Sequence, residues 1–67
     1  MIYDAVKSEC VRQGITIMEC EKRAHLGNGT IGGWRTADPK LSTVQAVADA
    51  LGVPITTLLR DGNNEQE

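Results

Sequence analysis

Thr16-Ile17-Met18-Glu19-Cys20-Glu21-Lys22-Arg23-Ala24-His25-Leu26-Gly27-Asn28-Gly29-Thr30-Ile31-Gly32-Gly33-Trp34 is the stretch on which the reading of this chain turns. Thr16, with Glu19 three residues on, forms a capping box. Its hydroxyl accepts the Glu19 N–H, and the Glu19 carboxylate reaches back to the Thr16 N–H. Ile17, Cys20 and Ala24 then recur three and four apart, as the inward face of a helix requires. Lys22, Arg23 and Glu21 are expected outward or at the margin. His25-Leu26-Gly27 interrupts the pattern. A second helix is expected from Asn28 to Arg35, with Ile31 and Trp34 pointing inward. Two short helices joined by a turn of three or four residues describe a helix-turn-helix. In a DNA-binding module of that type, the second helix lies in the major groove with its N-terminal residues on base edges.

Upstream, Ile2 to Gln13 reads as one helix. Ile2, Val6 and Cys10 follow at spacing four, Ala5 and Val11 widen the stripe, and Gly14 stops it. Ile15 precedes the Thr16 cap in the position of a hydrophobic staple. Downstream, Arg35 to Lys40 is a loop punctuated by Pro39. Ser42 is expected to cap a fourth helix whose inward stripe is Val44, Val47, Ala48 and Leu51, ended by Gly52. Pro54 opens a short fifth helix carrying Ile55, Leu58 and Leu59, and Asp61-Gly62 closes it. The expected architecture is an all-α, five-helix bundle over residues 1–62. Residues 63–67 form a polar tail without apolar anchors, expected to be disordered.

At 67 residues the chain makes one small domain, near the lower limit of what folds alone, so dimerisation would help it. Only Tyr3 and Trp34 are aromatic, so the core must be aliphatic. No run of 18 apolar residues predicts a membrane span. The first ten residues lack the basic and apolar blocks of a secretory signal, so the cytoplasm is the expected location. Cys10 and Cys20 lack Cys-x-x-Cys spacing and fall at inward positions. They read as reduced, buried thiols, with a disulfide or redox switch as the alternative. His25, at a turn position that favours glycine, is workable because histidine tolerates positive φ. It has no second histidine, and neither cysteine is placed to share a metal with it. No metal site and no cofactor are expected. Gly27-x-Gly29-x-x-Gly32 matches the dinucleotide fingerprint in letters only, since no strand precedes it. With no nucleophile–base pair, the chain is not expected to be an enzyme.

The net charge of −2 counts against nucleic-acid binding, but its distribution softens that. Residues 12–40 carry +2, residues 41–67 carry −3, and residues 1–11 carry −1. The positive half holds the expected DNA reader. Interior glycines cost up to about 1 kcal/mol each in a helix, so the 28–35 segment must form because Ile31 and Trp34 pack. Glycine also permits close approach of a backbone, DNA included.

Gly14-Ile15-Thr16-Ile17, Leu26 to Trp34, the Pro39 loop, Ala48 to Val53 and Leu58-Leu59 together resemble the phage repressor and Cro-like helix-turn-helix family, also called the xenobiotic-response-element family. Small regulators on phages and mobile elements of Gram-positive bacteria are the nearest look-alikes. The resemblance covers residues 2–60. It implies a bundle of five helices, operator DNA as ligand, and a homodimer on a two-fold operator. It puts Asn28, Gly29 and, one turn later, Gly33 at base-reading positions, with Thr30 near a phosphate or a thymine methyl. Ile17 stands where the family often has a phosphate-contacting Gln, and Gly27 where it often has a Ser or Thr cap. Gly33 stands where a long polar side chain is usual.

The side-chain chemistry adds detail. Asn28 suits a bidentate contact to adenine, and Arg35 a contact to guanine or phosphate. Phosphate anchors would come from Thr16, Lys22, Arg23, Lys40 and Thr43, together with helix N-termini. With few base contacts, readout would lean on DNA shape. Ile55, Leu58 and Leu59 exceed what a bundle edge needs, and are the expected dimer interface. The expected function is a sequence-specific DNA-binding transcriptional regulator, a repressor, reading the major groove with helix 28–35. The alternative is a protein-binding module such as an antitoxin, whose acidic C-terminal half holds a partner.

Overall fold

Helix boundaries in this chain are set by three repeats of one C-terminal device. In the computed structural model, which describes residues 2–59, α1 spans Ile2–Gln13, α2 Ile17–Arg23, α3 Leu41–Leu51 and α4 Ile55–Leu59. α1, α2 and α3 each end in a Schellman motif. After α1, the Ile15 N–H donates to Cys10 O at 2.9 Å and the Gly14 N–H to Val11 O at 3.1 Å. After α2, Leu26 donates to Glu21 O at 2.8 Å and His25 to Lys22 O at 3.1 Å. After α3, Val53 donates to Ala48 O at 3.0 Å and Gly52 to Asp49 O at 3.1 Å. The residue that turns the chain is left-handed each time: Gly14 at φ 74°, His25 at 61° and Gly52 at 71°. An apolar residue follows in every case, Ile15, Leu26 or Val53, and each packs against the core.

The start of α2 also forms as its sequence dictates. Thr16 Oγ1 accepts the Glu19 N–H at 3.0 Å, and Glu19 Oε1 accepts the Thr16 N–H at 3.0 Å. α3 differs from expectation. It begins two residues earlier than a Ser42 cap would have it. Lys40 is the N-cap, extended at φ −72° and ψ 145°, with no side-chain cap, and its carbonyl already accepts from Thr43 and Val44.

The described residues form helices joined by turns and short loops, with no strand. They hold four α-helices rather than five. The third segment is a single 3-10 turn, Gly32–Arg35. The core joins Val6 and Cys10 of α1, Cys20 of α2, Ile31, Val44 and Val47 of α3, and Leu58 of α4, all 1% exposed or less. α1 packs on every other element, and α3 bridges α2 and α4. Val11, expected to widen the α1 stripe, is 67% exposed. It lies one residue, about 100°, around the helix from Cys10, beyond the arc that Ala5, Val6 and Cys10 define. Gln13, at the end of α1, donates to Leu51 O at 2.8 Å and so satisfies a carbonyl that the end of α3 leaves open. The closing Asp61-Gly62 and the polar tail lie outside the described residues.

Candidate nucleic-acid interface

The segment 28–35 is not the α-helix expected of it. Gly29 stands at φ +84°, a left-handed conformation that no right-handed helix from Asn28 can pass through. Residues 28–31 are a turn, and winding begins only at Ile31, with φ −68° and ψ −37°. The Gly33 N–H still reaches Gly29 O at 3.0 Å. The Trp34 N–H bonds Ile31 O at 2.9 Å and the Thr36 N–H bonds Gly33 O at 3.2 Å, which is 3-10 spacing. In a 3-10 turn, residues three apart eclipse. Ile31 and Trp34 therefore share one side, and they are 0% and 8% exposed.

What holds this glycine-rich turn is a residue expected outward or at the margin of its helix. Glu21 of α2 is 3% exposed. Its Oε1 accepts the Gly29 N–H at 3.2 Å, and its Oε2 accepts the Ile31 N–H at 2.9 Å. Both carboxylate oxygens thus satisfy backbone donors of a segment with no N-cap side chain of its own. The signal lay in the spacing. Positions 17, 20, 21 and 24 are i, i+3, i+4 and i+7, so Glu21 belongs to the inward stripe, and only its charge argued otherwise.

Around this clamp, Asn28, Gly29 and Gly33 are exposed, and Thr30 is half-buried. Arg35 is exposed but engaged. Its guanidinium lies 5.5 Å from the centroid of the Tyr3 ring, and its Nε donates to Gly32 O at 3.3 Å. Cation–π contact thus ties the 3-10 turn to α1. Lys22 and Arg23, in the last turn of α2, are exposed, as is Lys40 at the head of α3, with Thr43 half-buried beyond it. Thr16 is committed elsewhere. Glu19 Oε1 stands 3.0 Å from its N–H and 3.5 Å from its hydroxyl, so a carboxylate already fills the place a phosphate would take at the start of α2.

The expected dimer residues divide. Leu58 is 0% exposed, a core residue and not an interface one. It is buried because α4 lies across both α1 and α3, and a short helix crossing two others must send one residue down between them. Ile55 is half-buried and Leu59 is 36% exposed. Among the described residues, no helix is long and apolar enough to cross a membrane. Compared with models of protein families, with curated proteins and with solved structures, the chain finds no match.

Proposed function

We propose that this chain is a DNA-binding transcriptional regulator, a repressor of the phage repressor and Cro-like kind, acting in the cytoplasm as a homodimer. In this reading α2, the turn at His25 and the 28–35 segment make the helix-turn-helix. The observation that carries it is the Glu21 clamp. It holds the backbone at Gly29 and Ile31, beside the exposed Asn28 and Gly33 and close in sequence to the exposed cations Lys22 and Arg23. A rigid bare backbone allows close approach to a duplex, and the flanking cations supply phosphate attraction. Asn28 is the base-reading side chain, with Thr30 beside it. Arg35, Lys40 and Thr43 add backbone contacts, and shape readout carries much of the preference. The dimer contact falls to Ile55 and Leu59. No catalytic role and no cofactor enter this reading.

The test is fluorescence anisotropy with labelled duplexes of random and upstream genomic sequence, at several salt concentrations. Preference for an upstream palindrome, with log affinity falling steeply against log salt, is the expected result. Sequence-blind binding that is lost by about 0.15 M salt would overturn it. A second reading, a partner-binding module of the antitoxin type, draws support from the net charge of −2 and from the engagement of Arg35 with Tyr3. Stoichiometric copurification of a protein partner, with no DNA preference, would establish that reading instead.

A further inference from the structure

Arg35 closes the 3-10 turn, and two contacts hold its side chain. Its Nε donates to Gly32 O at 3.3 Å, three residues back. Its Cζ stands over the Tyr3 ring, 5.5 Å from the centroid. Tyr3 lies in the first turn of α1, half-buried and packed against the core, so the ring is a fixed platform. Arg35 and Asp38 line one shallow groove of about 400 Å³, together with Ile2, Trp34 and Pro39. Among the described residues, Arg35 nonetheless forms no ion pair, with Asp38 or with any other acid. The ring supplies attraction but no oxygen acceptor. Nη1 and Nη2 are thus left without a hydrogen-bond partner among the described residues. With Nε spent on Gly32, the open edge of the guanidinium is its end, where Nη1 and Nη2 each present an N–H in parallel.

We propose that Tyr3 is a positioning residue for DNA binding. It holds Arg35 so that Nη1 and Nη2 each donate to an oxygen of one phosphodiester group of the duplex. This inference rests on the DNA-binding reading above. An exposed arginine gives up rotamer freedom when it binds, and the ring and the Gly32 bond have already taken most of that freedom here. The acceptor must offer two oxygens side by side, and it must bring the negative charge that no acid of the fold gives to Arg35. A phosphate meets both conditions. α1 thereby enters the interface through its first turn, although it sends no residue to the duplex itself.

Duplex anisotropy at several salt concentrations tests this on the wild type, Tyr3→Leu, Tyr3→Phe, Arg35→Ala and the double variant Tyr3→Leu/Arg35→Ala, with helicity checked by circular dichroism. Tyr3→Leu should weaken binding about two- to fivefold, on preferred and random duplexes alike. Tyr3→Phe keeps the ring and should bind as the wild type does. Arg35→Ala should weaken binding about tenfold or more and flatten the slope of log affinity against log salt by about one. In the Arg35→Ala background, Tyr3→Leu should change nothing further. A merely structural Tyr3 would matter as much without Arg35 as with it, and that result would overturn the proposal. So would tighter binding by Tyr3→Leu, meaning that the ring withholds Arg35, or a loss confined to the preferred duplex, meaning a base contact. If the wild type binds and both Tyr3→Leu and Arg35→Ala match it, this inference fails and the DNA-binding reading stands. If the wild type binds no duplex, both fail. Proton resonances of the wild-type Arg35 side chain decide the matter even where Tyr3→Leu does not fold. They should be shifted upfield by the Tyr3 ring and stay so on the duplex, and loss of that shift on binding would overturn the proposal.

Discussion

Glu21 Oε2 accepts the Ile31 backbone N–H at 2.9 Å, from inside the protein and across ten residues of chain. A buried carboxylate that satisfies two main-chain donors is costly to replace, because the Ile31 N–H stays buried without it. Glu21→Gln keeps one acceptor and turns an amide N–H₂ toward a donor. It should destabilise the fold by about 1–3 kcal/mol, and Glu21→Ala by at least as much. Urea titration followed by the fluorescence of Trp34, which sits on the clamped turn, checks this. An unchanged midpoint would mean that the turn is held by packing alone.

His25 occupies a left-handed position at φ 61°, where Gly14 and Gly52 serve the equivalent turns. Without a Cβ, glycine relieves the steric cost of that conformation at the C-terminus of α2. His25→Gly should raise stability by about 0.5–1 kcal/mol, seen as a higher melting temperature with the helical signal unchanged.

The two buried thiols give the alkaline limb of stability its direction. In the fold Cys20 is held near 12 against an ordinary value of 9.0, first by burial. The unfolded chain loses that proton more easily than the folded one. The contribution is fully present below about pH 9 and is lost as pH rises toward 12. Denaturation midpoints should therefore fall between pH 8 and pH 10.5, and fall less steeply in Cys20→Ala, whatever that variant's stability at pH 7. Parallel slopes would refute this.

If Lys22 and Arg23 meet phosphates, each should release about one counterion's worth of salt dependence. Lys22→Ala and Arg23→Ala would then each flatten the slope of log affinity against log salt by about one, across all duplex sequences alike. Asn28→Ala should instead weaken the preferred duplex relative to random DNA. Anisotropy on the same duplexes separates the two patterns.

Leu58 and Leu59 are adjacent in sequence and opposite in role. Leu58→Ala empties a fully buried site and should cost about 2–5 kcal/mol of monomer stability. Leu59→Ala should leave thermal stability within about 0.5 kcal/mol and weaken self-association in sedimentation equilibrium. Equal melting temperatures for the two variants would contradict this division.

The sequence alone settled what depends on near neighbours. The Thr16–Glu19 box, the left-handed turns at Gly14, His25 and Gly52, and the stripes that bury Val6, Cys10, Val44, Val47, Ala48 and Leu51 all follow from residues within one or two helical turns of each other. The tertiary structure decided what depends on distant groups meeting. Glu21 goes inward because backbone donors eight and ten residues away are there to receive it, and a charge is buried only where such partners wait. The 28–35 segment becomes a left-handed kink and a 3-10 turn. Its glycines have little preference of their own, so the packing of Ile31 and Trp34 and the Glu21 clamp choose its shape. Arg35 folds onto Tyr3 and Leu58 drops between α1 and α3 for the same reason. Each contact joins separate elements, and its energy exists only once those elements have packed.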